Sequence, residues 1–453
     1  MRLRRKLAIR CAKLASSMIQ KINMGSGAAF PGYIARMIDP EILPALADTV
    51  REKIIVTTGT NGKTTTNSIL CCSLAAGGKK VVSNRTGANM LNGIISAFVL
   101  AADQKGCLDA DYACIEADEM ETVYILSQLK PGILLLTNIF RDQLDRYGEV
   151  DITCDKIKAA LSSVPDTKLL YNSDDLLSYS LASECKNSTA AFGISERAFD
   201  DFSSEGAREG IFCHSCGAKI EYSVLHYGHL GVYQCPKCGL KRPEPAYTAS
   251  GIRFSNGVYS FDIDGIHINS RARYPYNVYN TLSAYAALRT LNAPTDRFKQ
   301  SIETFDYENN REGFFSINNC MVQLHLIKNQ VGFQQKIDLM RKDPKPKDII
   351  IRIDDKYQDG IDISWLWDVD FTCISDINAV TITTNGIRRY DMALRLKYED
   401  IRCSLAADMR KAVEGLTQNG TGNLYVVVTY TGLHQTHEML DKLQKLRKGG
   451  NTA

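Results

Sequence analysis

Short apolar runs alternate with longer stretches of helical spacing from Lys53 to about Gly193. The runs at 54–57, 80–83, 112–116, 133–137, 168–171 and 190–192 read as strands. Their alternation with helical patterns predicts an α/β architecture: a mostly parallel sheet, right-handed crossovers and helices on both faces. Residues 251–270 alternate as antiparallel strands do, and YNVYN at 276–280 opens an alanine-rich helical stretch, 281–291. From about residue 309 a second α/β pattern begins, with strands at 321–327, 348–353, 379–383 and 424–429 and a last helix over 434–448. Ahead of all this, Leu3, Leu7, Cys11, Leu14 and Met18 recur at helical spacing among the seven Lys and Arg residues of 1–21. That segment predicts a basic amphipathic helix, which either touches an anionic membrane surface or docks on its own domain. Pro31-Gly32 is expected to break the chain before 34–47. The expected domains are 1–47, 48–308 and 309–453, with an insertion at about 207–245.

The first strand runs into KIIVTTGTNGKTTTN, and the residues after Lys63 read as the start of a helix. That order gathers loop N–H groups and the positive end of a helix around one point, which suits a polyphosphate. Gly59 and Gly62 let the backbone come close, Lys63 supplies a point charge and the Thr64 hydroxyl suits Mg²⁺. Thr57 occupies the first glycine position of the strict pattern. We read an ATP site formed by Gly59, Thr60, Asn61, Gly62, Lys63, Thr64 and Thr65. Ligands of parallel sheets bind beyond the carboxyl ends of strands, and polar clusters fall there at 60–66, 116–119 and 138–145. Glu116 in IEADE is a candidate Mg²⁺ carboxylate, held directly or through another ligand. Asp142 and Asp145 read either as holders of metal or substrate or as solvated loop charges.

Composition narrows the class. A chain of 453 residues exceeds one ordinary core, and a net charge of +3 gives no argument for nucleic acid. No apolar run approaches the ~20 residues of a membrane-spanning helix, and no secretory leader is recognisable, so the expected location is the cytoplasm. There the fourteen cysteines read as reduced thiols, some bound to metal. Cys213 and Cys216, then Cys235 and Cys238, form two C-x-x-C pairs with the spacing of a Cys₄ zinc ribbon. Four thiolates leave no vacant position, so the zinc is expected to be structural; His214, His226 and His229 read as spare. Asn277 and Asn280 either cap their helix or present amides to a nucleotide. The loop DDKYQDGIDISWLWDVD holds six aspartates and both tryptophans, Trp365 and Trp367, and reads as a partner-contacting loop or a solvated turn.

TGTNGKTT, IEADE, TNIFRDQLDRYGE and YNVYN together resemble the ATP-binding domain of the Mur ligases, which join amino acids to the peptidoglycan stem through an acyl phosphate. GANMLNGI, the ribbon and DGIDISWLWDVDF narrow the resemblance to the MurT family, subunits of lipid II isoglutaminyl synthase. The resemblance covers nearly the whole chain. It implies a Mur-ligase-like P-loop domain with an inserted ribbon, followed by a C-terminal α/β domain. It further implies ATP-dependent amidation of the α-carboxylate of D-glutamate in lipid II, with ammonia from glutamine hydrolysed by a separate GatD-type glutaminase in a heterodimer. By motif, Lys63 and Thr64 would bind ATP and Mg²⁺, Glu116 would ligate Mg²⁺, and Asn280 would contact the nucleotide. The four cysteines would hold zinc, Arg311 would sense nucleotide and Asp362 would complete the partner's catalytic triad. The family's K-N-P-A-G reads Lys328-Asn329-Gln330-Val331-Gly332 here. The alternative is a folylpolyglutamate-type or other Mur-type ligase that adds an amino acid in place of ammonia.

Overall fold

The computed structural model describes residues 2–22, 28–84, 88–140, 150–194, 196–199, 209–307, 312–356, 358–418 and 422–449. They divide into two compact units, one ending at Tyr307 and one lying beyond it. The first opens with three helices, α1 (Arg2–Ile22), α2 (Phe30–Ile38) and α3 (Ile42–Ala47). Then strands and helices alternate: β1 (Lys53–Thr58), α4 (Lys63–Ala76), β2 (Val81–Ser83), α5 (Leu91–Ala101), β3 (Tyr112–Glu116) and α6 (Glu119–Leu126). The alternation continues through β4 (Ile133–Leu136), α7 (Val150–Ser162), β5 (Lys168–Asn172), α8 (Leu176–Glu184) and β6 (Thr189–Ile194). A hairpin of β7 (Glu221–Tyr227) and β8 (Leu230–Gln234) follows. The unit ends with β9 (Tyr247–Ser255), β10 (Val258–Ile263), β11 (Ile266–Asn269), α9 (Pro275–Thr290) and α10 (Phe298–Glu303).

Nine strands form one sheet in the order β11-β10-β9-β6-β5-β4-β1-β3-β2, parallel from β9 to β2 and antiparallel from β9 to β11. β1 sits centrally, paired with β3 and β4. Ile54 and Val56 enter one large core while Ile55, pointing the other way, is equally buried. A strand covered on both faces has no polar side to show, which explains its unbroken apolar run.

Two expectations need correction. Pro31-Gly32 does not break the chain: Pro31 lies in the first turn of α2, where its missing N–H costs nothing. Gly32 is there because α2 lies directly on α5; a Cβ would stand 1.9 Å from the Asn92 carbonyl oxygen. The asparagines of YNVYN do not cap α9 either, since Tyr274 is its N-cap and Asn277 and Asn280 lie buried within its first two turns.

The second unit contains β12 (Glu312–Ile317), β13 (Cys320–Leu326), α11 (Gln330–Lys342), β14 (Lys347–Arg352) and β15 (Ala379–Asn385). It continues with α12 (Arg389–Tyr398), β16 (Ser404–Leu405), α13 (Met409–Gln418), β17 (Asn423–Val428) and α14 (Tyr430–Gly449). Its six-stranded sheet runs β12-β13-β17-β14-β15-β16 and is parallel except at β12–β13. Ile349 and Ile351 of β14 pack into one core and Ile350 into the other, so this sheet is also covered on both faces. Asn329, in the stretch that departs from K-N-P-A-G, caps α11 by accepting the Gly332 N–H at 3.0 Å.

One buried carboxyl gives this unit a pH signature. Burial on α11 pushes Asp338 up to about 7, although Arg341 stands 3.8 Å away. The native chain therefore keeps a proton that the unfolded chain releases, and stability falls as pH rises from about 4 towards 7 and stays lower above it. Each unit of such a shift corresponds to about 1.4 kcal/mol. Asp338→Asn should melt well above the parent chain at slightly alkaline pH and close to it near pH 4. Equal melting temperatures at both pH values would show that Asp338 is not the proton holder.

Candidate active site and metal centre

The loop between β1 and α4 is shaped for close approach. Gly59 has φ +121° and Gly62 φ +88°, both in the left-handed region that favours glycine. A Cβ on Gly59 would meet Thr137 Oγ1 at 2.4 Å, and one on Gly62 would meet Asn280 Oδ1 at 2.2 Å. Gly62 is the N-cap of α4 and offers no side chain to its N–H groups, and the positive end of a helix is a place where an anion binds. The loop backbone is instead gripped from β4. Asn138 accepts the Asn61 N–H at 2.9 Å and donates to the Asn61 carbonyl at 3.0 Å, and Thr137 Oγ1 donates to the same carbonyl at 2.7 Å. Thr60 Oγ1 accepts the Phe140 N–H at 2.9 Å and lies 3.1 Å from the Phe140 carbonyl.

Charge converges on this loop. Lys63 is buried; its Nζ bonds the Gly59 carbonyl and stands 3.1 Å from Glu119 Oε2. Thr64 Oγ1 donates to Glu116 Oε1 at 3.0 Å. A hydroxyl and a carboxylate this close are hard oxygen donors of the kind Mg²⁺ takes, so the pair fits the cation expected there. Asn84, just past β2, bonds both the N–H (2.9 Å) and the carbonyl (2.7 Å) of Glu116 and so fixes the carboxylate's backbone. Sequence reasoning missed Asn84 and gave Glu119 no role of its own; both lie past carboxyl ends of strands, which is the signal that finds them. Thr65 is buried in the first turn of α4. Arg311, Asp142 and Asp145 lie outside the described residues.

In the acidic loop of the second unit the aspartates divide into buried and half-buried ones. Asp354 is buried, bound to Arg352 Nε at 2.7 Å and the Ile387 N–H at 3.0 Å. Asp359 is buried and accepts the Thr431 N–H at the start of α14 at 2.7 Å. Asp362 is half-buried and accepts the Ser364 N–H at 2.8 Å and the Ser364 hydroxyl at 3.0 Å. Trp365 packs edge-on against Phe333 of the unit's own core, whereas Trp367 is half exposed beside Tyr398 and Arg395.

The Sγ atoms of Cys213, Cys216, Cys235 and Cys238 all lie within 4.8 Å of one another. Two of the separations, Cys213–Cys238 and Cys216–Cys235, are 3.5 Å. Thiolates around one tetrahedral zinc at ~2.3 Å stand ~3.8 Å apart, so this donor set fits zinc. Each pair sits in a knuckle closed by a bridge, Phe212 with Lys219 and Gln234 with Lys241, and β7–β8 runs between them.

The histidines of the insertion are not all spare. His229, in the hairpin turn, is buried with its Nε2 2.9 Å from Asp175 Oδ1. Asp175 Oδ2 accepts the Ile139 N–H at 2.7 Å, and the Phe140 ring lies 4.5 Å from the His229 ring. His226 is buried against Tyr279, whose hydroxyl donates to Asp174 at 2.6 Å; Arg242 Nε meets the same carboxylate at 2.6 Å. Burial alone would raise Asp174, but His226, Arg242 and Tyr279 outweigh it and hold the carboxyl below its ordinary value. The hairpin is thus bonded to the strand ends that grip the phosphate loop. Cys235→Ser should lower zinc content and melting temperature together, since metal binding is coupled to folding of such a ribbon. Full zinc occupancy in the variant, or no zinc in the parent protein, would contradict the assignment.

The Mur ligase middle domain family matches residues 57–288 and the MurT ligase C-terminal family matches 326–433. A curated relative from Streptococcus pneumoniae, named lipid II isoglutaminyl synthase (glutamine-hydrolyzing) subunit MurT, is 32% identical over 432 residues, covering 94% of this chain and 95% of its own. One of the same name from Staphylococcus aureus is 31% identical over 447 residues, covering 98% and 99%. Among solved structures, a pseudomurein peptide ligase type C from Methanothermus fervidus superimposes with TM-score 0.68 at 21% identity, covering 87% of this chain and 79% of that one. The MurF ligase of Thermotoga maritima in complex with ADP gives 0.61 at 12% identity, covering 90% and 84%; both are likenesses of fold. The chain belongs to the MurT family of ATP-dependent ligase subunits, built on the Mur ligase middle domain.

Proposed function

We propose that this chain amidates the α-carboxylate of D-glutamate in lipid II, giving D-isoglutamine, with ammonia released from glutamine by a GatD-type partner subunit. The observation that carries the reading is end-to-end likeness to subunits named for lipid II isoglutaminyl synthesis, 94% of the chain in one case. A match to the MurT C-terminal family at 326–433 supports this reading over a ligase that adds an amino acid.

A carboxylate is a poor electrophile, and transfer of the γ-phosphoryl group of ATP onto it, as an acyl phosphate, supplies the leaving group that ammonia displaces. The N-terminal end of α4 and the ammonium of Lys63 would bind and orient the transferred phosphoryl group. In this reading Lys63 exchanges its resting bonds to Glu119 and the Gly59 carbonyl for the phosphoryl oxygens. Thr64 and Glu116 would hold Mg²⁺, which when bound neutralises phosphate charge. Asn280, whose amide stands against Gly62, and Arg311 are assigned to nucleotide contact by motif. Asp362 would orient the imidazole of the glutaminase from outside that subunit, with Ser364 fixing its direction. The half-exposed ring of Trp367, in the same loop, would provide an apolar contact for that subunit. The reaction takes place at the inner membrane face, where such a lipid is presented.

Two variants separate these roles. Lys63→Ala should cut amidation roughly a thousandfold with either glutamine or free ammonium, because both share the phosphoryl step. Substantial ammonium-fed product from the folded variant would refute the loop assignment. Asp362→Ala should lower glutamine-fed amidation by about a hundredfold or more while leaving ammonium-fed amidation intact. Equal loss in both assays would place Asp362 in the ATP or lipid chemistry instead.

A further inference from the structure

Each of the first two helices carries large apolar side chains that stay exposed among the described residues. α1 docks through Ala8, Ile9 and Ala12, which are buried in the core of the first unit. The opposite side carries Leu3, Leu7, Leu14 and Met18, exposed by 84%, 54%, 60% and 61%. At 100° per residue these four fall within about 60° of one another on a helical projection. Four large apolar side chains in one outward stripe differ from the scattered exposed leucines of ordinary surfaces. α2 adds Phe30, Tyr33 and Met37, exposed by 49%, 48% and 66%. Arg4 donates to the Ile38 carbonyl, so the start of α1 meets the end of α2.

Charge selects the occupant. Residues 1–38 hold eight Lys and Arg and no acid; the first acid, Asp39, is buried. On α1 the apolar stripe is flanked by Arg10, Lys6 and Lys13 on one side and by Arg4 on the other. Asp103 lies beside Lys6, Arg10 and Lys13, and the N–H groups of Cys107, Lys105 and Gly106 hold its carboxyl below the ordinary value. An apolar stripe between cationic flanks matches the boundary between acyl chains and anionic headgroups. A protein groove would match the stripe but gives no account of the excess of cations in its flanks, four on α1 against the acid Asp103.

We infer that the outward face of α1, together with the exposed residues of α2, docks this chain on an anionic lipid bilayer. The inference rests on the lipid-substrate reading for its purpose, since docking places the chain where a lipid-linked carboxylate is presented.

The test uses the full chain in flotation with phosphatidylglycerol-containing vesicles or pure phosphatidylcholine vesicles, without lipid II or ATP, so that binding is read apart from amidation. The parent chain should float with the anionic vesicles only, and less at high salt. Leu7→Glu with Leu14→Glu should reduce that binding at least tenfold at an unchanged melting temperature, because both residues face outward. If that pair disturbs folding, Leu3→Glu with Met18→Glu replaces it. Amidation of lipid II in detergent micelles should be the same for parent and variant, whereas amidation in anionic vesicles should fall for the variant. A parent chain that stays in the aqueous layer, or variants that float like it, would overturn the inference. Loss of co-elution with the glutaminase subunit at full vesicle binding would overturn it in favour of a protein interface.

Discussion

A loop that is to receive a phosphate at a helix start needs a fixed backbone, so it has to be held from outside itself. Here the holder is Asn138, whose amide bonds both the N–H and the carbonyl of Asn61. Thr137 and Asn280 occupy the space that a Cβ on Gly59 or Gly62 would fill. These contacts come from β4 and α9, so the loop's shape depends on sheet register and on the packing of α9 against α4. Removing the Asn138 amide would take away the bonds to both the N–H and the carbonyl of Asn61, at the point where ligand binding needs rigidity.

The same constraint reaches the zinc ribbon. Through His229 and Asp175 the hairpin turn is bonded to the Ile139 N–H, and Phe140 next to it shares two hydrogen bonds with Thr60 of the loop. A metal held by the four cysteines would contribute more than local stability, because its hairpin is tied to the strand ends on which the phosphate loop rests.

Much of this was legible in the chain. β1 and β3 to β6 were readable because continuous burial leaves unbroken apolar runs, and the Cys₄ spacing is specific because tetrahedral thiolate geometry allows few alternatives. β12 escaped because Phe314 and Phe315 adjoin and hide its alternation, and β16 is two residues long. α14 begins at Tyr430, ahead of the expected start, because Asp359 from a distant loop caps it. The roles of Asn84 and His229 could not be read locally, since each is defined by a partner at least 32 positions away. The acidic loop shows the same limit: composition made six equivalent aspartates, and long-range pairing then separated buried Asp354 and Asp359 from Asp362.

The central claim is that ATP activates the substrate carboxylate by phosphorylation at the loop of Lys63. It is tested most directly with lipid II carrying heavy oxygen in the D-glutamate α-carboxylate, incubated with ATP, Mg²⁺ and ammonium. An acyl phosphate passes one labelled oxygen to inorganic phosphate for each amide formed. Label found in phosphate at one atom per amide is the predicted result. Label in AMP, or amide formed with unlabelled phosphate, would contradict the account.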